Sequence, residues 1–142
     1  MRVAAIRKTT PFLRYLEKKA VAVGGGDPHR FSLSDAVLIK DNHIKVVGSL
    51  EKAIILARER APFTAKIEVE DENAEEAVRA AEPGVDIIML DNMSPGDMAK
   101  AHEELMRRGL RDRAALEASG RINEDNAMEY ARHVDASRRA NT

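Results

Sequence analysis

Five short strand-like stretches, four of them apolar runs and one alternating, each ending in a charged group or a Ser-Gly pair, alternate with helix-patterned segments along this 142-residue chain. They are Val3–Ile6 before Arg7-Lys8, Ala36–Ile39 before Lys40, Ala65–Glu70, Val85–Leu90 before Asp91, and Ala114–Ala118 before Ser119-Gly120. Short apolar runs bounded by turn residues read as strands of a buried sheet. Between them, Thr10 and Pro11 open a helix with Leu13, Leu16 and Ala20 on one face, which stops at Gly24. Ser49 caps a second helix, striped by Leu50, Ala53, Ile54 and Ala57 and broken by Pro62. A third helix spans Asn73–Ala81, a fourth runs from Ser94-Pro95 to Gly109, and a fifth from Asn123 to about Arg132. Val134–Ala136 has the makings of a sixth strand, but the chain then turns polar with Ser-Arg-Arg-Ala-Asn-Thr. Strands alternating with helices over short connections specify a βα array on a parallel sheet. No linker or low-complexity tract divides it, so residues 1–142 read as one α/β domain.

One strand leaves its environment open. In Ala65–Glu70, Lys66, Glu68 and Glu70 share one face and Ile67 and Val69 the other. That alternation fits a surface strand with a wet outside, and equally a barrel strand whose charges point inward and whose apolar side meets helices.

In βα architectures the C-terminal edge of the sheet is where ligands bind. Here that edge gathers Arg7, Lys8, Lys40, Glu70, Asp91 and Ser119-Gly120. The glycine run Gly24-Gly25-Gly26, followed by Asp27-Pro28, delivers His29 and Arg30 to the same region. Alone, such a run is a flexible turn; beside Lys40 it becomes part of a cationic rim. Cations suit carboxylates and phosphates, and a helix N-terminus after Ser119-Gly120 suits a phosphate. Two separated carboxylates suit a divalent ion such as Mg²⁺, or sugar hydroxyls. The chemistry expected is that of an enzyme handling a small anion together with a phosphorylated sugar.

A formal charge of −1 argues against a nucleic-acid or membrane-surface partner. With no cysteine, disulfides and thiolate metal sites are excluded, and no histidine pair has zinc-ligand spacing. Only four apolar residues separate Arg2 from Arg7, too few for a signal sequence or a spanning helix, so a soluble cytoplasmic protein is expected. His102 and His133 read as helix surface, and His43 has no assigned role.

Six segments carry a family resemblance: IRKTTP, VGGGDPHR, VLIKDNHI, KIEVE, IIMLDNMSP and LEASG, in that order. Together they resemble the nicotinate-nucleotide pyrophosphorylase (quinolinate phosphoribosyltransferase) family, from Val3 to about Val134. The resemblance implies transfer of phosphoribose from phosphoribosyl pyrophosphate to the ring nitrogen of quinolinate with Mg²⁺. The products are nicotinate mononucleotide, carbon dioxide and pyrophosphate. It further implies that Arg7, His29, Arg30 and Lys40 grip the quinolinate carboxylates and that Lys8 faces phosphoribosyl pyrophosphate. Lys40, Glu70 and Asp91 would be the catalytic residues, Glu70 and Asp91 holding ribose and metal, with Ser119 and Gly120 at the 5′-phosphate. It favours the inward option for Lys66, Glu68 and Glu70.

Family members begin with a separate N-terminal domain that closes a neighbouring subunit's site, and their barrel continues beyond the last matched motif. Neither part is matched here, and a full barrel takes about 250 residues. The expectation is therefore an incomplete TIM-like βα barrel of about five βα units, with an open sheet edge that favours a homodimer or higher homo-oligomer. Ile6 replaces a usual threonine, and Arg121 replaces the second glycine of an SGGI turn, where it either obstructs a phosphate or adds a cation to it. Two alternatives stand beside the transferase: a non-catalytic barrel fragment or anion-binding remnant, and a related transferase for another aromatic acid.

Overall fold

The structure, a computed structural model, describes residues 1–139. Among these residues the strands are β1 (Arg2–Val3), β2 (Ala36–Ile39), β3 (Lys66–Asp71), β4 (Ile87–Asp91), β5 (Ala115–Gly120) and β6 (Ala136–Arg139). The α-helices are α1 (Arg14–Val23), α2 (Asp41–Val47), α3 (Leu50–Arg60), α4 (Ala74–Ala81), α5 (Pro95–Arg107) and α6 (Ala127–Tyr130). All strand pairs are parallel, in the order β1-β6-β5-β4-β3-β2. The two edge strands, β1 and β2, are consecutive in sequence, and among the described residues they do not pair. The sheet is thus an α/β barrel-type sheet that is not closed.

Three helix starts follow from their capping residues. Ser49, Asn73 and Ser94 accept the backbone N–H of Lys52 (3.1 Å), Glu76 (3.0 Å) and Asp97 (3.1 Å), and Pro95 occupies the first turn of α5. The core lies between sheet and helices. Ile67 and Val69 of β3, Ile88 and Leu90 of β4, and Leu116 and Ala118 of β5 are buried beneath Ile54, Val78, Met98 and Leu105. Ala77, Ala80 and Ala81 are fully buried, and their small side chains let α4 approach the sheet and α5 closely. The alternation in β3 is thereby resolved for most of the strand: its apolar side meets helices, and Glu68 is buried and Glu70 half-buried on the other side. Lys66 at the strand's start is exposed and does not point inward as expected.

Four local expectations need correction. α1 starts at Arg14, not Thr10, and Leu13 at its N-cap makes no side-chain bond. Its supposed packing face is exposed at Leu13, Leu16 and Ala20; the buried residue is Lys18, whose Nζ donates to the Pro28 carbonyl and lies 5.3 Å from the Phe31 ring centroid. The physical reason is position: α1 stands beside the sheet's open edge, apart from the main core cluster. α2 was not foreseen; it begins immediately after Lys40 and ends at Gly48, whose φ of 93° favours glycine. The fifth expected helix shrinks to α6, because Asn123 Oδ1 instead accepts the Asp125 and Asn126 N–H groups in a turn (3.0 and 3.1 Å). Finally, His102 and His133 are half-buried, with His102 Nδ1 3.0 Å from the His133 carbonyl.

Candidate active site at the strand C-termini

A cavity of about 240 Å³ opens at the C-terminal ends of the strands. Arg7 and Lys8 reach it from beyond β1, Arg30 from the loop after the glycine run, and Lys40 from the end of β2. Glu70, Asp91 and Ser119 reach it from β3, β4 and β5, and Arg138 from β6. Every strand therefore contributes to one mouth, which requires the sheet to curl.

The backbone fixes several of these groups. Lys40 leaves β2 in extended conformation, and its N–H donates to His43 Nδ1 (3.0 Å), tying the strand end to the first turn of α2. Its ammonium donates to Glu70 Oε2 from the adjacent strand. Asn92, just past Asp91, has φ 53°, and its N–H donates to the Ser119 carbonyl (2.9 Å). Gly120 explains why these two strand ends can meet: its φ is 129°, and a Cβ there would fall 2.7 Å from Asn92 Oδ1 and 3.1 Å from Asn92 Cα.

Two of the sequence-derived candidates are not in the mouth's lining. Gly120 packs against Asn92, as above. His29, at φ 51°, is held from both sides: its N–H donates to Asp27 Oδ1 (2.7 Å), and its ring Nε2 lies 3.2 Å from Glu117 Oε2. The imidazole is nearly buried, with Nδ1 unpartnered among the described residues. Arg121 also lies away from the mouth, in a separate cavity with Ser94, Pro95 and Tyr130.

Beneath the cationic rim lies a buried charge cluster that sequence reasoning passed over. Arg138 Nε sits 2.8 Å from Glu117 Oε1, and its Nη2 3.4 Å from Glu68 Oε1. Burial, and then the Glu117 charge, push the Glu68 carboxyl above the usual carboxylate range, while Arg138 pulls it down. Burial likewise lowers Arg30, against the attraction of Glu68. Glu68 was visible in the strand alternation, and Glu117 as a lone acid inside an otherwise small and apolar run. Arg138 gave no such signal, because Ser-Arg-Arg resembles a solvated tail.

The hard oxygen donors of Glu70 and Asp91, both half-buried at the mouth, fit a magnesium ion. The other possible ligand group is His29, Glu68 and Glu117, whose candidate atoms lie within 4.8 Å of one another. Its mixed nitrogen and oxygen set, already pierced by the Arg138 cation, suits magnesium less well.

The family model described as "Quinolinate phosphoribosyl transferase, C-terminal domain" matches residues 1–138. This chain belongs to the quinolinate phosphoribosyl transferase family. It is 56% identical over 131 residues to a protein of Methanothermobacter thermautotrophicus named as a probable nicotinate-nucleotide pyrophosphorylase [carboxylating], covering 92% of this chain and 47% of that one. The human nicotinate-nucleotide pyrophosphorylase [carboxylating] is 42% identical over 134 residues, covering 94% of this chain and 44% of the human one. Among solved structures, NadC from Streptococcus pyogenes superposes with a TM-score of 0.83 at 45% identity, over 97% of this chain and 47% of that one. The Francisella tularensis nicotinate-nucleotide pyrophosphorylase superposes with a TM-score of 0.87 at 37% identity, over 99% and 48%. The quinolinate phosphoribosyl transferase domain described here thus spans about half the length of these relatives. The sixth strand suggested at Val134–Ala136 is present as β6, and it continues into the Ser-Arg-Arg segment that reads as a polar tail. Among the described residues, no helix is long and apolar enough to cross a membrane.

Proposed function

We propose that this domain binds quinolinate and phosphoribosyl pyrophosphate in the mouth and transfers phosphoribose to the pyridine nitrogen. One observation carries the reading: four cations, Arg7, Lys8, Arg30 and Lys40, face the acids Glu70 and Asp91 across a single small cavity. Cations of this density match a ligand with two carboxylates and a second with phosphates.

In the reaction, the C1–oxygen bond to pyrophosphate breaks and the electron pair leaves with pyrophosphate. The pyridine nitrogen lone pair then forms the new bond to C1. Glu70 and Asp91 would stabilise positive charge developing on the ribosyl ring. The pyridinium charge makes loss of the adjacent carboxylate as carbon dioxide easy, and the ring carbon keeps the electron pair and takes a proton. Arg7, Arg30 and Lys40 orient the ring and offset its two negative charges. Lys40 reaches quinolinate by giving up its contact with Glu70, which frees that carboxylate for ribose. Glu70 and Asp91 would hold Mg²⁺, which supplies charge neutralisation for the departing pyrophosphate. His29, below the mouth, would act through the floor of the site.

The coverage of about half of each relative favours a second reading: the same anion site, without turnover by this chain alone. The test is incubation with quinolinate, phosphoribosyl pyrophosphate and Mg²⁺, with nicotinate mononucleotide and carbon dioxide measured. Product supports transfer; binding of quinolinate by calorimetry without product supports the second reading; neither result overturns both. A related transferase would instead form product from another aromatic acid. We also propose self-association, supported by the exposed Phe12, Tyr15, Leu16 and Val23 around α1, and checked by light scattering.

A further inference from the structure

From the geometry we infer that Arg138 is a further oxyanion-binding guanidinium, besides Arg7 and Arg30, at the floor of the mouth. The inference deepens the proposed function and rests on it for the identity of the ligands.

Three observations carry it. First, Arg138 lines the cavity although its side chain is mostly buried, so the guanidinium borders both the mouth and the interior. Its strand neighbour in register is Ser119, which lines the same cavity. Second, its two glutamates hold it incompletely. The contact to Glu117 Oε1, though 2.8 Å, lacks hydrogen-bond alignment and leaves that oxygen unpartnered among the described residues. The contact to Glu68 Oε1 is long, at 3.4 Å, and Glu68 Oε2 is unpartnered. Nη2 also contacts Met89 Sδ, but a guanidinium has five N–H donors in a planar fork, and Nη1 has no partner among the described residues, so capacity for a ligand is left. Third, Arg30 lines the same cavity, and its buried Nε lacks a partner among the described residues. Arg138 and Arg7 both act on Arg30 as like charges and lower it. Cations crowded on one wall with an unspent buried donor are relieved by an oxyanion seated between them.

The glutamates then have a clear task. Glu117 and Glu68 aim the Arg138 fork across the interior from β6 and offset its charge while the mouth is empty. The ligand group is a carboxylate or phosphoryl oxygen, and quinolinate or phosphoribosyl pyrophosphate supplies it.

The decisive experiment separates ligand binding from structural support. Calorimetric titrations of the full chain with quinolinate, and separately with phosphoribosyl pyrophosphate plus Mg²⁺, are compared across Arg138→Met, Arg138→Lys and the double variant Arg138→Met/Glu68→Gln. Thermal unfolding is measured on each. Arg138→Met is expected to weaken one of the two ligands about 10- to 100-fold, and the ligand affected identifies the oxyanion. It is also expected to lower the melting temperature, because Glu117 and Glu68 lose their counter-charge. The double variant removes one buried acid, so the melting temperature recovers while the affinity does not. Arg138→Lys keeps the charge without the fork and falls between parent and Met in affinity, with melting near that of the parent. Recovery of both affinity and melting in the double variant overturns the assignment, leaving Arg138 a structural counter-ion. Undiminished affinity for both ligands in Arg138→Met overturns it as well. If the parent binds neither ligand, the family reading of the site falls before any variant is compared.

Discussion

Replacing Asp71 by Asn should stabilise this protein in a strongly pH-dependent way. Asp71 ends β3 on the apolar side, where it lines a second cavity of about 450 Å³ with Glu72, Glu76 and Arg79 behind the mouth. It is only 1% exposed, and its Oδ2 is unpartnered among the described residues. Burial first, then the charges of Glu76 and Glu70, push its carboxyl from 3.8 up to about 7, while Arg79 acts in the other direction. Between those two values the folded state binds more protons than the unfolded one, so stability falls as pH rises. The favourable contribution is complete below about pH 3.8 and gone above about pH 7. At 1.36 kcal/mol per pH unit, the carboxylate costs up to about 4 kcal/mol at pH 8. The amide in Asp71→Asn carries no charge at any pH, so urea unfolding of parent and variant should diverge from about pH 4 to about pH 7 and stay apart by a constant amount above that. The gain in the variant approaches that upper figure at the alkaline end and vanishes at the acidic end. Parallel stability curves, or a variant less stable than the parent at pH 8, would refute the reasoning.

Lys40→Ala should weaken quinolinate binding about 10- to 100-fold, the worth of a charge-assisted contact, with the fold intact by circular dichroism; unchanged affinity in calorimetry counts against the assignment. Gly120→Ala drives a Cβ into Asn92, so it should lower both the melting temperature and any activity, whereas an unshifted melting curve means that the β4 and β5 ends are not in contact. Ser94→Ala removes the α5 cap and should cost about 1 kcal/mol in urea unfolding without altering ligand affinity.

The parallel sheet was readable because its strands are apolar runs, and their helix-facing residues, such as Ile67, Val69 and Leu90, are the buried ones. The caps at Ser49 and Ser94 were readable because their hydrogen bonds are local. What periodicity cannot reveal is whether a face meets a partner. Leu13, Leu16 and Ala20 have helical spacing, yet α1 stands at the open edge and leaves them uncovered. The mouth was legible as strand ends, since Arg7, Lys40, Glu70 and Asp91 follow apolar runs directly. The floor was not. Arg138 belongs to a strand whose polar sequence is tolerated inside only because Glu117 and Glu68 from other strands meet it, and such long-range pairing leaves no local trace. The glycine run and the PHR motif put His29 in the rim with Arg30, whereas in the structure its ring meets Glu117 below the mouth.

The most direct test of the account is hydrogen exchange of the full chain with and without saturating quinolinate. Slowed exchange is expected at residues 6–8 and 29–30, at the β2 end around Lys40, and around Asn92 and Ser119, and it should be lost in Arg7→Ala. Slowed exchange confined to the second cavity or to the strand N-termini, or none at all at millimolar ligand, would contradict it.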